Sequence, residues 1–585
     1  IGTKSLTGSI LNIAGNLLIN PDVILGVAGN TVNLTGNLTF NGGTISFTTG
    51  TLNIAGNIIS TSGVITPGTG TVIFDGSTNQ NVGGNFNFYN LTVNPTSSTD
   101  TVFIPQTGIS KNLTISKGAL ECTANAFTGS TSGGTFTMAA NTGLILGKPS
   151  STTSVPFPSG YTTGNITFNS SSTVTYQANA AQTVSAAPAY ANLALTTGAT
   201  STTKTLAGNT TINGNLAINA NTTLDCHTYQ ITGNSSNNMT MASGSELLLG
   251  VSGTGTNVLF PTGYGSGTGT ISLNSNSTVV YQAANSSQNI SSYPTYGTLV
   301  ISSTSSVTKA PTGTSLTIAG NLTVKGSTAL SMTSNTINLT GIDTIGTGST
   351  ESFTSGALNI GGNFVCNGTF TYGTSTATFN GSAGQTISGS AYPTFYNLTI
   401  SGTGGEIVGL GGNQTVTNNL SLTSGTLDAT LSNYNLTIGG SFTNSGGTFN
   451  PRSNTLTMNT SGTQTLGGSA LINLNKLIIN SGAIINLGGN ITTTSDITIT
   501  GTLNALSYTI TTAGNFIDNG TFTSGTSLVY FNKNGHQCIE GSTSPTFKNM
   551  TVGAMSILGN SASGGANING LVTILPGGLM DCTCP

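Results

Sequence analysis

Residues that could carry chemistry are few in this 585-residue chain, which has 14 Asp and Glu, 11 Lys and Arg, 2 His, 6 Cys and no Trp. Cleavage or hydrolysis of polysaccharides needs paired carboxylates, or an acid and a base, on one face of the protein. Only Asp496, Asp518 and Glu540 follow one another at a constant spacing in sequence. We interpret them as an acidic ladder on the surface, and the sequence predicts neither an enzyme nor a bound cofactor.

Three of the six cysteines share a repeat position. Cys122, Cys226 and Cys582 occupy a place that other copies of the same pattern fill with Ala, which is typical of a small buried side chain. His227 follows Cys226, but no Cys-x-x-Cys pair or second His lies nearby, so no metal site is predicted. Cys582 and Cys584 are separated by a single residue in an extended segment, and we consider them candidates for an intermolecular disulfide.

Two near-identical segments carry the aromatic residues best suited to binding. Phe157 and Tyr161 belong to the sequence FPSGY, and Phe260 and Tyr264 belong to FPTGY. Each segment follows a stretch rich in Ser, Thr and Gly, which is typical of a loop. Aromatic rings on such loops can stack on sugar faces, so a glycan contact is predicted here. The alternative interpretation is that the rings only hold their own turns against the rest of the protein.

An internal repeat dominates the sequence. The pattern apolar–x–apolar, small, Gly, Asn, apolar recurs at intervals of about 20 residues, with apolar residues alternating with Thr, Ser or Asn inside each copy. This alternation is typical of a strand with one buried face. We interpret Gly-Asn as a sharp corner between two half-strands, because both residues tolerate positive φ. The predicted corner residues are Gly15, Asn16, Gly36, Asn37, Gly56, Asn57, Gly320, Asn321, Gly362 and Asn363.

A unit this short cannot bury its apolar face alone, so successive units must stack. The predicted fold class is therefore all-β: an elongated β-solenoid, a right-handed parallel β-helix with coils of about 20 to 21 residues, running through residues 1–585 as one continuous repeat array. Tandem β-sandwich domains are the alternative, because a longer cycle approaches the size of such a domain, about 100 residues, in places.

The landmark of the longer cycle is Gln-x-apolar with a Leu or Met farther along the chain, as in Gln80, Val82 and Leu91. It occurs at Gln80, Gln182, Gln288, Gln385, Gln464 and Gln537. The predicted long-cycle units are approximately 1–93, 94–195, 196–300, 301–400, 401–478 and 479–552, with a partial unit at 553–585.

Charge and hydropathy exclude two classes of partner. A net charge of −3 with scattered Lys and Arg cannot build a phosphate-binding surface, so nucleic acid is not a predicted partner. No apolar run approaches the ~20 residues of a membrane-spanning helix. Cys residues are scarce, and so are the Lys and Arg residues at which many proteases cleave. We therefore expect a secreted, extracellular or cell-surface protein.

The repeat LTIAGNLTV at 316–324, with TATFNGSAGQTISG at 376–389 and PTFYNLTI at 393–400, resembles the β-strand-repeat regions of large bacterial surface proteins. It is similar in style to filamentous-haemagglutinin-type adhesins and the passenger domains of autotransporters. The resemblance implies secretion, a rod-like solenoid and a role in adhesion, surface coating or fibre formation, and it carries over no catalytic residue.

The predicted function is an extracellular structural protein whose solenoids associate with copies of themselves, end to end or side by side, into a filament or surface layer. No polar or helical cap is evident at residues 1–13 or 570–585, and uncapped coils favour such contacts. One alternative is an adhesin stalk that binds surface glycans through its loops. A polysaccharide-acting β-helix enzyme is the other.

Overall fold

The computed structural model describes residues 2–105, 107–124, 128–129, 133–581 and 583–584. The chain forms two units, Ile1–Thr298 and Leu299–Pro585. Regular structure in the described residues consists of short β-strands and one 3-10 turn, Thr163–Asn165. Strands are numbered in chain order over these residues.

Strands β1 to β30 of the first unit are Gly2–Ser5, Ile10–Ile13, Leu17–Ile19, Val23–Ala28, Thr31–Leu34, Leu38–Phe47, Thr51–Ile54, Ile58–Thr66, Thr71–Phe74, Gln80–Asn81, Phe86–Val93, Thr101–Ile104, Thr107–Ile115, Ala119–Cys122, Phe136–Met138, Gly143–Leu146, Ile166–Phe168, Thr173–Tyr176, Gln182–Val184, Asn192–Leu195, Thr202–Leu206, Thr210–Thr211, Leu216–Ile218, Thr222–Asp225, Ile231–Thr232, Met239–Met241, Glu246–Leu249, Ile271–Leu273, Thr278–Tyr281 and Thr295–Tyr296.

Strands β31 to β69 of the second unit are Thr298–Lys309, Ser315–Ile318, Leu322–Met332, Thr336–Leu339, Asp343–Ile345, Thr350–Phe353, Ala357–Ile360, Phe364–Cys366, Thr369–Thr371, Thr376–Phe379, Gln385–Ser388, Thr394–Phe395, Asn397–Ser401, Ile407–Leu410, Gln414–Val416, Leu420–Ser424, Thr426–Asp428, Leu436–Ile438, Phe442–Asn444, Thr448–Asn450, Thr455–Met458, Gly462–Gly467, Ile472–Leu474, Lys476–Ile479, Ala483–Leu487, Ile491–Thr493, Ile497–Ile499, Thr502–Asn504, Thr509–Thr512, Phe516–Asp518, Thr521–Thr523, Leu528–Phe531, Gly535–Glu540, Thr546–Phe547, Asn549–Val552, Ser556–Asn560, Asn567–Ile568, Val572–Ile574 and Leu579–Met580.

Each unit is a parallel β-solenoid, because strands one coil apart pair in parallel. In the first unit an eight-stranded sheet runs in the order β17-β15-β13-β11-β9-β7-β5-β2, and in the second a ten-stranded sheet runs β42-β45-β48-β51-β54-β57-β60-β63-β66-β69. The pairings along both sheets are parallel. The predicted all-β solenoid is confirmed. Tandem β-sandwiches, which are built from antiparallel sheets, are wrong.

The core is made by identical positions of successive coils. Leu52 of β7 aligns with Val32 of β5 and with Val72 of β9, and all three are buried. The Thr and Asn residues between the apolar positions point outward and remain partly exposed. Burying one such apolar side chain stabilises a fold by roughly 1.5–3 kcal/mol. A coil therefore gains most of its stability when a neighbouring coil covers it.

The corners lie where the Gly-Asn pattern predicts them, but glycine is needed there for a reason other than the predicted positive φ. None of the predicted corner glycines or asparagines has a positive φ. Instead, a Cβ on Gly56 would lie 2.4 Å from the carbonyl oxygen of Gly36 in the preceding coil, and one on Gly362 would lie 2.4 Å from that of Gly341. Glycine is required because two backbones approach too closely for any side chain.

The corner asparagines continue the hydrogen bonding between coils. Oδ1 of Asn16 accepts the backbone N–H of Asn37 at 2.8 Å, and Oδ1 of Asn37 accepts that of Asn57 at 2.8 Å. Asn321 repeats the arrangement in the second unit, where its Oδ1 accepts the N–H of Ile342 at 2.9 Å. The side-chain oxygen thus bridges successive coils at the bend.

The two Ser- and Thr-rich segments are interruptions of the coil, as expected, whereas the long-cycle units stay a prediction. Gly143 pairs with Thr173 and Glu246 pairs with Thr278, so both coils are longer than the repeat of the sequence. The extra residues do not extend the sheets. No described residue between Leu146 and Thr163, or between Leu249 and Ile271, belongs to a strand.

Replacing Gly56 with Ala tests the corner packing. Because the new Cβ meets backbone at 2.4 Å, we expect the free energy of unfolding of the first unit to fall by about 1–3 kcal/mol. Gly15→Ala is the matched control, since a Cβ at the same corner of the first coil would have nothing within 4 Å. Urea titration followed by circular dichroism measures both, and equal midpoints for the two variants would contradict the explanation.

Candidate functional site

The six Gln residues of the long cycle lie inside the coils and are buried. Gln80 shows how they are used: its Oε1 accepts the N–H of Gly76 at 3.0 Å, and its Nε2 donates to the carbonyls of Ile54 and Gly56 at 2.8 and 2.7 Å. Gln385 makes the corresponding three contacts. The amides of Gln80 and Gln385 thus satisfy backbone groups at a corner, which is a structural role.

Lys204 is fully buried beside one of these amides. Its Nζ donates to the carbonyls of Ala178 and Ala180, at 2.6 and 3.0 Å, and to Oε1 of Gln182 at 2.7 Å. All three acceptors are neutral, and desolvation lowers the pKa of Lys204 to about 8. Burial lowers the pKa of the equally buried Lys309 in the same way, to about 8. Sequence reasoning missed both lysines, because scattered Lys residues look like surface residues.

Asp343 and Glu351 are a pair of carboxyl groups in the apolar interior of the second unit, and both are fully buried. Asp343 aligns with Leu322 and Phe364 of the adjacent coils, and Glu351 aligns with Leu330. None of the four carboxyl oxygens has a hydrogen bond of good geometry, although the backbone N–H of Thr344 is close enough to lower the pKa of Asp343 in part. A hydrogen bond between the two carboxyls therefore needs a proton on one of them.

The electrostatic surroundings of the pair favour the protonated form over the ionised one. Burial raises the pKa of Asp343 to about 7. Burial, together with the neighbouring Asp343 carboxyl, holds the pKa of Glu351 well above its usual range. Acid pairs with raised pKa values occur in catalytic sites, but the exposed fraction of both residues is zero. A substrate has no access to this pair.

The predicted acidic ladder is wrong. Asp518 is buried and aligns with Ile499, whereas Glu540 aligns with Ile517. The two coils that end at these acids differ in length, so a constant spacing in sequence does not bring the acids into one column. Asp496 instead forms an ion pair with Lys476 at 3.4 Å.

The predicted glycan contact is corrected by the burial of its aromatic rings. Tyr161 and Tyr264 are only 4% and 3% exposed, and Phe157 and Phe260 are buried as well. The ring of Tyr161 packs against Phe136, with centroids 5.6 Å apart. A Cβ on Gly233 would lie 2.2 Å from the Tyr264 ring. These segments fold back onto the coils, so their rings present no face to a sugar.

Cys122 and Cys226 are buried thiols, and Ala429 and Ala505 are buried at the equivalent positions. This agrees with a packing role. Burial raises the pKa of both thiols, which disfavours the reactive thiolate. The ring of His227 is near only Thr228 and Tyr229 among its described contacts.

Cys584 forms a disulfide within the chain, with Cys538. The partners lie 46 residues apart in sequence. Gly559 of β66 aligns with Cys538 of β63, and a Cβ on Gly559 would lie 3.0 Å from Sγ of Cys584. Glycine in the intervening coil leaves room for the bond. The predicted intermolecular disulfide is not formed by Cys584 in this structure, and Cys582 lies outside the described residues.

One group of three His, Cys, Asp or Glu side chains brings metal-binding atoms together in the described part of the chain: Cys538, Glu540 and Cys584. Their ligand atoms all lie within 4.8 Å of one another. Nδ2 of Asn515 donates to Oε1 of Glu540 at 2.8 Å, and its Oδ1 accepts the N–H of Cys538 at 3.0 Å. Asn515 thereby holds two members of the group, and Glu540 and Cys584 are half-buried.

Asp428 and Arg452 form the best-connected ion pair among the described residues. Nε and Nη2 of Arg452 donate to the two carboxylate oxygens at 3.0 and 2.8 Å, and the N–H of Thr430 and Nδ2 of Asn450 donate to them as well. These contacts, above all the hydrogen bonds from Arg452, lower the pKa of Asp428. A carboxylate with four donors is suited to fixing a turn and not to accepting a proton.

The buried acid pair predicts a stability that falls as pH rises. Both pKa values are raised in the folded state, so the unfolded chain releases these protons first, from about pH 4 upward. Stability is full below that pH. The contribution of Asp343 is lost through about pH 7, at about 1.4 kcal/mol per pH unit for the proton retained, and that of Glu351 continues to fall at higher pH. Urea titrations across this range measure the slope.

Replacing the pair with Asp343→Asn and Glu351→Gln removes both titrating groups while keeping the side-chain shapes. We expect the double variant to lose most of the pH slope of the second unit. Asp22→Asn is the control, because Asp22 is exposed and Asn also adopts its positive φ of 64°. A slope unchanged in the double variant would show that other groups cause it.

Removing the disulfide with Cys538→Ser and Cys584→Ser tests its role in the C-terminal coils. Closing a loop of 46 residues stabilises by about 4 kcal/mol in the chain-entropy account. We expect faster amide hydrogen exchange in residues 567–580. Cys122→Ala, a thiol-to-Ala change already present at equivalent positions, should leave these residues unaffected. Unchanged exchange in the double variant would mean that stacking alone holds them.

No described residue belongs to a helix with the length and apolarity needed to cross a membrane. Comparison of the chain with protein-family models, with curated proteins and with solved structures found no match.

Proposed function

We propose that this chain is a structural protein of the cell surface whose β-solenoid associates with copies of itself into a filament or layer. The observation that carries the proposal is the parallel β-solenoid itself, in which strands one coil apart pair in register and each coil buries its apolar residues against its neighbours.

An extracellular location is part of the proposal. The Cys538–Cys584 disulfide supports it, because disulfides persist in oxidising compartments and are rare in the cytosol. The low content of Lys and Arg supports it too, since it limits cleavage by many proteases. An adhesin role through surface glycans is not favoured, because the four aromatic residues predicted for it are buried. That the chain is not an enzyme stays a prediction.

Sedimentation tests self-association. We expect the 585-residue chain to sediment as concentration-dependent oligomers and to form fibres or sheets in negative stain. A wild-type chain that stays monomeric at all concentrations would refute the proposal.

A further inference from the structure

We propose that Cys538, Glu540 and Cys584 form a binding site for a thiophilic divalent cation of the Zn²⁺ class when the disulfide is reduced. The three ligand atoms already lie within 4.8 Å of one another. In a tetrahedral zinc site with Zn–S bonds of about 2.3 Å, two sulfurs lie about 3.8 Å apart. The reduced sulfurs therefore need only a small separation to accept an ion between them.

The ligand set selects the metal. Two thiolates are soft ligands that favour Zn²⁺ over Mg²⁺ or Ca²⁺, which prefer oxygen. Glu540 adds a carboxylate from the same strand, two positions after Cys538, so that both side chains point to the same face. Three protein ligands leave the fourth tetrahedral position to water.

Neighbouring residues prepare the site. Asn515 donates to Oε1 of Glu540 and accepts the N–H of Cys538, a second layer of contacts that holds ligands in place. Gly559 lies between the two cysteine-bearing segments, and a Cβ there would lie 2.2 Å from the carbonyl oxygen of Thr583. The half-buried positions of Glu540 and Cys584 give an ion access from solvent.

The same two sulfur atoms can form the disulfide or bind a metal ion, but they cannot do both at once. An external dithiol reductant supplies two electrons and two protons, which break the S–S bond and give two thiols while the reductant becomes a disulfide. Cation binding then displaces the two thiol protons into solvent, so the affinity rises with pH. The site therefore responds to the redox poise of its surroundings, independently of whether the chain self-associates.

Zn²⁺ titration of the full chain tests this site, with Cys582→Ser as the background so that this neighbouring thiol cannot substitute. After reduction and anaerobic removal of the reductant, we expect one Zn²⁺ per chain by competition with a chromophoric chelator. Co²⁺ in place of Zn²⁺ should give thiolate-to-metal charge-transfer absorption. The oxidised chain should bind no Zn²⁺ at this site.

Two variants and a control test which residues bind the ion. Cys538→Ser should abolish the binding even though the buried thiols of Cys122, Cys226 and Cys366 remain. Glu540→Gln should weaken it at least about tenfold, whereas Asp581→Asn, an exposed carboxylate close to Cys584 in sequence, should not change it. Equal Zn²⁺ binding by the reduced parent and by Cys538→Ser would overturn the proposal, as would unchanged affinity in Glu540→Gln.

Discussion

Stacking of each coil on its neighbour, in register, supports every other feature of this fold. Parallel pairing places equivalent apolar residues, such as Val32, Leu52 and Val72, directly against one another. A single coil encloses too little volume to exclude water from these side chains, so its stability comes from the coils on either side.

The short distance between neighbouring coils also determines which residue types the chain uses at its corners. Strands of neighbouring coils lie about 4.8 Å apart, and at the corners the backbones approach so closely that Gly56 and Gly362 have no room for a Cβ. Asn37 then supplies the hydrogen bond that carries pairing around the bend, and Gln80 satisfies backbone groups from inside. Gly, Asn and Gln recur at equivalent positions because each one meets a separate requirement of stacking.

Polar groups inside the coils connect this fold to its surroundings. Lys204 is stabilised by neutral oxygen acceptors, whereas Asp343 and Glu351 need a proton to satisfy each other. Burial lowers the pKa of Lys204 and raises those of Asp343 and Glu351, so all three groups make stability depend on pH. The Cys538–Cys584 disulfide likewise links the stability of the C-terminal coils to redox state. A β-solenoid can thus respond to pH and to redox state through groups inside its coils.

Local patterns in the chain were enough to specify the strands, the corners and the stacking, because alternation and a period of about 20 residues leave few folds open. Which residues share a column is set by the folded chain instead. Coils of unequal length separate Asp518 from Glu540, although their spacing in sequence looks regular. Folding also turns the Tyr161 ring inward and brings Cys584 to Cys538 across Gly559. Such contacts depend on the summed lengths of intervening coils, which no local pattern records.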